Sequence, residues 1–289
     1  MKVIRTSKIK KITRDLLIKA SFKLPEDIIE AIKQAKKRED DQLAVDMLDM
    51  ILKNAEIAAK QKMPLCQDCG SVYIDIDIGP NICIEPGDKS DYQSFYDALN
   101  DAVLEVYESF YLRKSIIYDP LFERQNTRTN TPATINITYS NDPGLDIEVN
   151  LKGGGSENCS WLFMLNPITS QEEIIDRVVE LIRENVTRAC PPVIIGIGIG
   201  ATASDVTKLA RKATFRDLNI RNSNAKYAEL ESAILKRVNE IGIGPQGFGG
   251  KTTALATNIE FAPCHMATLP LAVFFGCHST RRAGIRAFV

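Results

Sequence analysis

The seven cysteines are the residues of this sequence with the clearest capacity for chemistry, at positions Cys66, Cys69, Cys83, Cys159, Cys190, Cys264 and Cys277. They are scattered through 289 residues that begin without the apolar run of a secretory signal, which disfavours a disulfide framework. Reduced cysteines either pack as small hydrophobic residues or bind metals as thiolates. Because the only histidines are His265 and His278, any metal site must depend mainly on thiolates.

The sequence around each cysteine limits which kinds of metal site are possible. Cys66 and Cys69 form a C-x-x-C pair, but the second pair that a structural zinc site requires is absent. This pair leads into a strand, whereas thioredoxin-like pairs usually begin a helix. Cys190 precedes two prolines, a frequent environment of iron-sulfur ligands, and Cys277 follows a glycine at an element boundary. The residue types alone leave two alternatives open, a three-thiolate site and scattered core cysteines.

Two glycine-rich stretches resemble nucleotide-binding loops. Residues 196–201 satisfy the G-x-G-x-x-A pattern, but that fingerprint needs an acid closing a second strand roughly 20 residues later, and the sequence after Arg216 offers no clear strand. Residues 244–252 end like a phosphate loop, yet Pro245 stands where the required glycine should precede Lys251. We therefore predict neither nucleotide site. The density of glycine and proline in the second stretch still predicts a tightly folded backbone.

These residues must be positioned by a chain that changes character near Cys66. Residues 9–62 are charged and helically periodic, which predicts that residues 1–62 form an N-terminal helical layer with helices at 26–37 and 40–62, the second ended by Pro64. Residues 71–78 then alternate between apolar and polar, as in a strand. Further helices are expected at 91–112, 171–185 and 203–213, and further strands at 133–139, 145–151 and 192–199.

The expected fold is mixed α/β, with mixed sheets packed with helices. We predict that the strands at 133–139 and 145–151 pair around the turn at 141–144. No repeat or Pro/Gly/Ser linker divides the sequence, so we expect one domain, 1–289, in which residues 63–289 bind cluster and substrate.

Charge and hydropathy exclude several function classes. Lys and Arg total 36 against 37 for Asp and Glu, so the chain lacks the positive excess that attracts nucleic acid or an anionic membrane. No stretch is long and apolar enough to predict a membrane span. The sequence therefore predicts a soluble, cytoplasmic protein that binds neither nucleic acid nor membrane.

Six ordered motifs carry a family resemblance across about residues 64–283. They are Cys66-Gln67-Asp68; Asn126-Thr127 with Asn130-Thr131-Pro132-Ala133; Gly153-Gly154-Gly155-Ser156-Glu157-Asn158; Ala189-Cys190-Pro191-Pro192 with the glycine run after it; Gly242 to Thr253; and Cys277-His278 with Arg281-Arg282. In content and order they resemble the class I iron-sulfur fumarate hydratases and the related L-tartrate dehydratases. A chance match to all six motifs is implausible.

The resemblance implies that Cys66, Cys190 and Cys277 hold three irons of a [4Fe-4S] cluster. The fourth iron would then be open to substrate and act as a Lewis acid. Cys264 is the rival for the third ligand, but Cys277 occupies the position of the family motif. Cys69 departs from the family pattern, in which threonine is expected, and its role is left open.

The resemblance also implies the residues that bind and convert the substrate, a small dicarboxylic acid. Asp68 would take part in proton transfer. His265 would bind substrate, and Arg113 would hold a carboxylate through a bidentate contact. Gln67 and the backbone N–H of Gly155 would complete the pocket.

The implied activity is reversible hydration of fumarate to malate, a step of the tricarboxylic acid cycle. No residue of this sequence matches the family's base for the carbon-bound proton, so a β subunit is expected to supply it, in a dimer of αβ units. The α subunit of L-tartrate dehydratase is the nearest alternative. A non-catalytic iron-sulfur redox or sensing protein is the alternative of another class.

Overall fold

The computed structural model describes residues 1–87 and 94–288, which form two compact units. Unit 1 comprises Met1–Pro25, Ile57–Gly153 and Arg281–Val289, and unit 2 comprises Glu26–Glu56 and Gly154–Thr280. Each unit has its own sheet and its own hydrophobic core. The predicted mixed α/β fold is confirmed. The single domain expected for residues 1–289 stays a prediction, because compactness of a unit does not measure its independent stability.

The described chain contains both helices and strands throughout its length. The helices are α1 (Thr6–Phe22), α2 (Glu26–Arg38), α3 (Gln42–Gln61), α4 (Phe95–Ser109), α5 (Gly154–Glu157), α6 (Gln171–Asn185), α7 (Val206–Phe215) and α8 (Ala225–Asn239). The strands are β1 (Lys2–Arg5), β2 (Ser71–Ile78), β3 (Ile82–Glu85), β4 (Thr134–Tyr139), β5 (Leu145–Lys152), β6 (Ser160–Leu165), β7 (Val193–Gly200), β8 (Ala254–Ala262), β9 (Leu269–Gly276) and β10 (Arg281–Ala287). Short 3-10 helices span Val186–Ala189 and Pro245–Gly247.

Unit 1 is a helix layer on a four-stranded sheet of order β10-β5-β2-β4, beside a parallel β1-β3 pair. The alternation predicted for residues 71–78 is present, since Val72, Ile74 and Ile76 are buried in the core with α1 and α4. Asp75 on β2 accepts hydrogen bonds from Asn136 on β4 (3.0 Å) and Asn150 on β5 (3.3 Å). These polar side chains connect neighbouring strands on one face of the sheet, and the hydrophobic core covers the other face.

The predicted pairing of the strands at 133–139 and 145–151 is wrong. Strand β2 lies between them, antiparallel to β5 and parallel to β4. The turn before β5 packs instead against the turn after β2, where the Gly79 N–H donates to the Gly144 carbonyl at 2.8 Å. A side chain at Gly79 would overlap the carbonyl oxygen of Asp142. A turn signal predicts that the chain reverses and leaves open which strand receives the hydrogen bonds.

Unit 2 has a sheet of order β6-β9-β7-β8, in which only β7 and β8 are parallel. Ile195, Ile197 and other apolar residues of β7 pack with α6 and α8. The intervening Gly196 and Gly198 face α7, where added side chains would overlap the backbone carbonyls of Ala210 and Val206. The glycine run that resembles a dinucleotide fingerprint therefore permits close helix-strand packing.

Several predicted helices are present, and one of them has both of its expected ends. The helix predicted at 171–185 is α6, and Ser170 and Glu173 form its capping box. The helices predicted at 26–37 and 40–62 are α2 and α3, and the one at 203–213 is α7. Of the helix expected at 91–112, α4 begins at Phe95, and residues 91–93 lie outside the described residues.

Residues 1–62 are mostly helical, as predicted, and contain α1, α2 and α3. This region starts with a strand, β1, and α1 then packs against α4 in unit 1. Helix α2 belongs to unit 2, where it contacts β8. Within the described residues, no helix is both long enough and apolar enough to cross a membrane.

Candidate functional site

The loop from Cys66 to Gly70 in unit 1 is held from several sides before β2 begins. The Tyr107 hydroxyl on α4 lies 3.0 Å from both the Cys69 and the Gly70 carbonyl oxygens, to which it donates a shared hydrogen bond. The Asn130 side-chain amide donates to the same Gly70 carbonyl at 3.2 Å. Tyr107 and Asn130 are fully buried, and burial raises the pKa of Tyr107, so the hydroxyl stays a donor. These bonds therefore fix the end of the loop, directly after Cys66, Gln67 and Asp68.

Cys69 connects this loop with the segment that carries Arg113. The backbone N–H of Arg113 donates to Cys69 Sγ at 3.1 Å. Cys69 is buried, and burial raises the pKa of its thiol despite this hydrogen bond and the nearby Arg281 guanidinium. A neutral thiol that accepts a backbone hydrogen bond accounts for Cys69, and a threonine hydroxyl could accept the same bond.

Asp68 shares its surroundings with Arg281, a residue that sequence reasoning used only as part of a motif. Asp68 Oδ1 accepts the Gly70 N–H at 3.0 Å. A side chain built at Gly153 would meet Asp68 Oδ2 at 3.1 Å and Arg281 Nη2 at 3.9 Å, so both charged groups border the same space. Arg281 is only 2% exposed, and its Nε has no hydrogen-bond partner within the described residues. Nothing in the sequence distinguishes it from the adjacent Arg282, because only burial separates the two residues.

In unit 2 the segments that carry Cys190 and Cys277 lie side by side. The Cys190 carbonyl accepts the His278 N–H at 3.3 Å, and His278 Nδ1 lies 3.0 Å from the same oxygen. Cys190 is exposed and has a left-handed backbone, φ 53°, which is uncommon outside glycine. Cys277 begins a turn closed by Thr280, whose hydroxyl would meet a side chain at Gly276 at 2.6 Å. Two of the predicted cluster ligands thus occur on neighbouring turns.

The glycine-rich segment 242–253 packs behind Cys190, so the predicted tight backbone is present. The backbone N–H and the side-chain amide of Gln246 both donate to the Pro191 carbonyl, at 2.8 and 2.6 Å. The amide also lies 3.0 Å from His278 Nδ1. The N–H groups of Lys251 and Thr252 donate to the Glu39 carboxylate at 2.9 to 3.2 Å. A carboxylate of the chain itself therefore occupies the amides that a phosphate loop would offer to phosphate.

Gly155 also lies close to this region. A side chain there would meet the Arg188 carbonyl, in the 3-10 helix before Cys190, at 2.6 Å. The glycine triplet is thus explained at this position by close backbone packing. The substrate contact expected from the Gly155 N–H stays a prediction.

His265 and Cys264 lie at the other end of the same sheet. Strand β7 pairs Ile194 with Gly276 near Cys277, and Gly200 with Ala262 near Cys264. Six residues of strand separate these ends by about 20 Å. His265 is exposed, and its Nδ1 accepts the Ala267 N–H at 3.1 Å. Within unit 2, Cys277 is therefore close to Cys190, whereas Cys264 and His265 are remote from it.

The predicted site residues thus form separate groups within the units. Unit 1 gathers Gln67, Asp68 and the Arg113 backbone around one loop, and unit 2 gathers Cys190, Cys277 and Gly155. Across residues 1–87 and 94–288, no three His, Cys, Asp or Glu side chains lie close enough to hold a single metal ion. A [4Fe-4S] cluster has a different requirement, because each ligated iron needs one thiolate. Adjacent turns presenting an exposed Cys190 and a partly exposed Cys277 fit that requirement.

The comparisons with known proteins all point to the same family. The family model described as Fumarate hydratase (Fumerase) matches residues 10–286. A Methanocaldococcus jannaschii protein, provisionally named L(+)-tartrate dehydratase subunit alpha, is 37% identical over 283 residues, 96% of each chain. An Escherichia coli L(+)-tartrate dehydratase subunit alpha is 30% identical over 284 residues, 97% of this chain and 91% of the relative. A Shigella boydii protein of the same name is 30% identical over 279 residues, 96% and 89% of the two chains.

Proposed function

Because this chain belongs to the family of fumarate hydratase and L-tartrate dehydratase α subunits, we propose that it hydrates fumarate reversibly to malate with a [4Fe-4S] cluster and a β subunit. Membership alone makes it a hydro-lyase subunit. The observation that supports the cluster most strongly is the adjacency of the Cys190 and Cys277 turns at one end of β7. Cys264, at the other end, is a poor substitute.

Cys66, Cys190 and Cys277 would hold the cluster in this proposal. When bound, the cluster would supply a Lewis acid for the oxygen of the substrate at an iron without a protein ligand. The redox or sensing alternative would need a fourth ligand, and Cys69 is poorly suited, since its buried thiol accepts the Arg113 N–H.

The remaining site residues bind substrate and move its proton. Asp68, two residues after Cys66, would exchange the proton during gain or loss of water. The exposed Arg113 side chain would hold one substrate carboxylate, with Gln67 and the Gly155 N–H as further contacts. Tyr107 and Cys69 would act indirectly, by fixing the backbones of these residues.

His265 needs a second copy of the chain to fulfil its proposed role. About 20 Å of strand separates it from the Cys190 end of β7, too far for both to touch one small substrate. Its turn is exposed, with Met266 90% accessible. We therefore propose that His265 enters the site of a neighbouring copy, in keeping with a dimer of αβ units.

A β subunit would supply the base for the carbon-bound proton. The relatives are named as alpha subunits, which implies a partner in those proteins. We expect the isolated chain to have little or no turnover, even with its cluster intact.

L-tartrate dehydration is the second candidate, favoured by the names of these three relatives. The chemistry is the same class, loss of water from a hydroxylated dicarboxylate, so the residues above would keep their roles. Substrate choice depends on contacts that the second subunit would share.

The test is anaerobic co-purification with the β subunit, followed by parallel assays with malate, fumarate and L-tartrate. Turnover per reconstituted cluster should be negligible for this chain alone and restored by the partner. Turnover of tartrate but not malate would select the second candidate. Full activity from the isolated chain would contradict the two-subunit mechanism.

A further inference from the structure

Residues 114–127 of unit 1 form a well-built hairpin, called the 114–127 hairpin below. The N–H of Tyr118 donates to the Gln125 carbonyl at 2.9 Å, and the N–H of Thr127 donates to the Ile116 carbonyl at 2.8 Å. At the base, the Asn126 side-chain amide donates to the Lys114 carbonyl at 3.0 Å. The hairpin is therefore ordered along its length.

The tip of this hairpin presents large apolar side chains to solvent. Tyr118 is 70% exposed, Leu121 is 71% exposed and Phe122 is 84% exposed. The Asp119 carboxylate fixes the backbone that carries two of them by accepting the N–H groups of Leu121, Phe122 and Glu123 at 2.8 to 3.0 Å. Single exposed apolar residues are common, but two aromatic rings and a leucine on one capped turn form an anchor of the kind found at protein interfaces.

We propose that the tip of the 114–127 hairpin docks into an apolar pocket of the β subunit, an inference that rests on the proposed function. The hairpin begins directly after Arg113, and the N–H of Ser115 donates to Asn130 Oδ1 at 2.7 Å. Asn130 also donates to Gly70 beside Asp68. A subunit that completes the chemistry at Asp68 and Arg113 must approach this region, where the tip presents a cluster of three exposed apolar side chains. Its fixed conformation would lower the entropic cost of binding.

Other occupants suit the tip less well. The tip carries the carboxylates of Asp119 and Glu123 against the one guanidinium of Arg124, and an anionic membrane surface would repel this net negative charge. A second copy is already assigned to the exposed turn of unit 2 that carries His265. The β subunit therefore fits the tip best.

The test measures affinity between the purified chain and the β subunit by anaerobic calorimetry. The double variant Leu121→Ser/Phe122→Ser should raise Kd by roughly 100-fold or more, since truncated aromatic anchors commonly cost this much. Its circular dichroism and Tm should stay unchanged, because both side chains are exposed. The matched control is Tyr139→Ser, which truncates an aromatic residue of unit 1 that is 83% exposed at the end of β4, and Kd should not change.

Each other outcome has a defined meaning. If the wild-type chain does not bind the β subunit at all, the proposed function fails and this inference fails with it. If the wild type binds and the double variant binds equally well, only the docking surface is wrong. Loss of self-association alone would identify the tip as a contact between copies. Loss of co-sedimentation with phosphatidylcholine and phosphatidylserine vesicles would identify a membrane contact. Either result would overturn the proposal.

Discussion

The cysteine loops of the two units are stabilised in different ways. In unit 1, side chains fix the Cys66–Gly70 loop, through the Tyr107 hydroxyl, the Asn130 amide and the Cys69 thiol. In unit 2, the turns of Cys190 and Cys277 depend in addition on glycines at crowded positions, beside hydrogen bonds from the backbone and from Gln246 and Thr280. Gly244 and Gly276 stand where a side chain would collide with its neighbours. Loops fixed by side chains should tolerate conservative substitution, whereas loops fixed by glycines should not tolerate an added methyl group.

The largest effect should come from the proposed ligands, which test whether the two types of loop serve one cluster. Cys66→Ser, Cys190→Ser and Cys277→Ser should each abolish assembly, because serine is a poor iron-sulfur ligand. Cys264→Ser is the control, since Cys264 lies at the far end of β7. Iron, sulfide and charge-transfer absorbance after anaerobic reconstitution are the measurements. A cluster that survives Cys277→Ser and is lost in Cys264→Ser would reverse the assignment.

Asp68→Asn tests the loop fixed by side chains, because it should affect turnover without affecting assembly of the cluster. The amide keeps the size of the side chain but cannot exchange a proton, so turnover should fall roughly 100- to 10,000-fold. The cluster and substrate binding should be retained. Asp75→Asn, on the polar face of β2, is the control and should keep normal turnover. If Asp68→Asn turns over at the wild-type rate, Asp68 has no catalytic role.

Gly244→Ala tests the loop built on glycines. Gly244 has φ 72°, and the added methyl group would overlap the Gly249 carbonyl. We expect the free energy of unfolding to fall by roughly 3 kcal/mol, through strain and overpacking. Gly249→Ala is matched, because φ is 92° but no atom lies within 4 Å of the added group. The free energy of unfolding of Gly249→Ala should fall by less, about 1 kcal/mol. If denaturant titrations show equal losses of unfolding free energy for the two variants, the backbone conformation alone would explain why glycine is required at these positions.

Tyr107→Phe should have the smallest effect, because it removes only a hydroxyl. The free energy of unfolding should fall by about 1 to 2 kcal/mol, as the buried Cys69 and Gly70 carbonyls lose a donor. Tyr139→Phe removes a hydroxyl from an 83% exposed side chain and should change nothing measurable. If Tyr107→Phe is as stable as the wild type, Asn130 and Cys69 fix the loop without the hydroxyl.

Much of the local structure could be predicted from the sequence. Strand β2 follows from alternation, and α6 follows from the Ser170 cap and the acids of its first turn, because both signals act between residues close in the chain. The tight backbone of residues 242–253 follows from glycine density. The strand that pairs with β4 and β5 was not predictable in this way, because β2, which lies between them, comes from a distant segment and takes their hydrogen bonds.

For the candidate site, the sequence by itself determined the residue types and the family, because motifs of Cys, Asp, Gly and Arg have a recognisable order. Only the tertiary structure decided which of these residues are neighbours. It brought Cys190 next to Cys277, separated His265 from both and buried Arg281 beside Asp68. The physical reason is that proximity and burial depend on strand order and helix packing. These are set by contacts between residues far apart in the chain, and no local pattern records them.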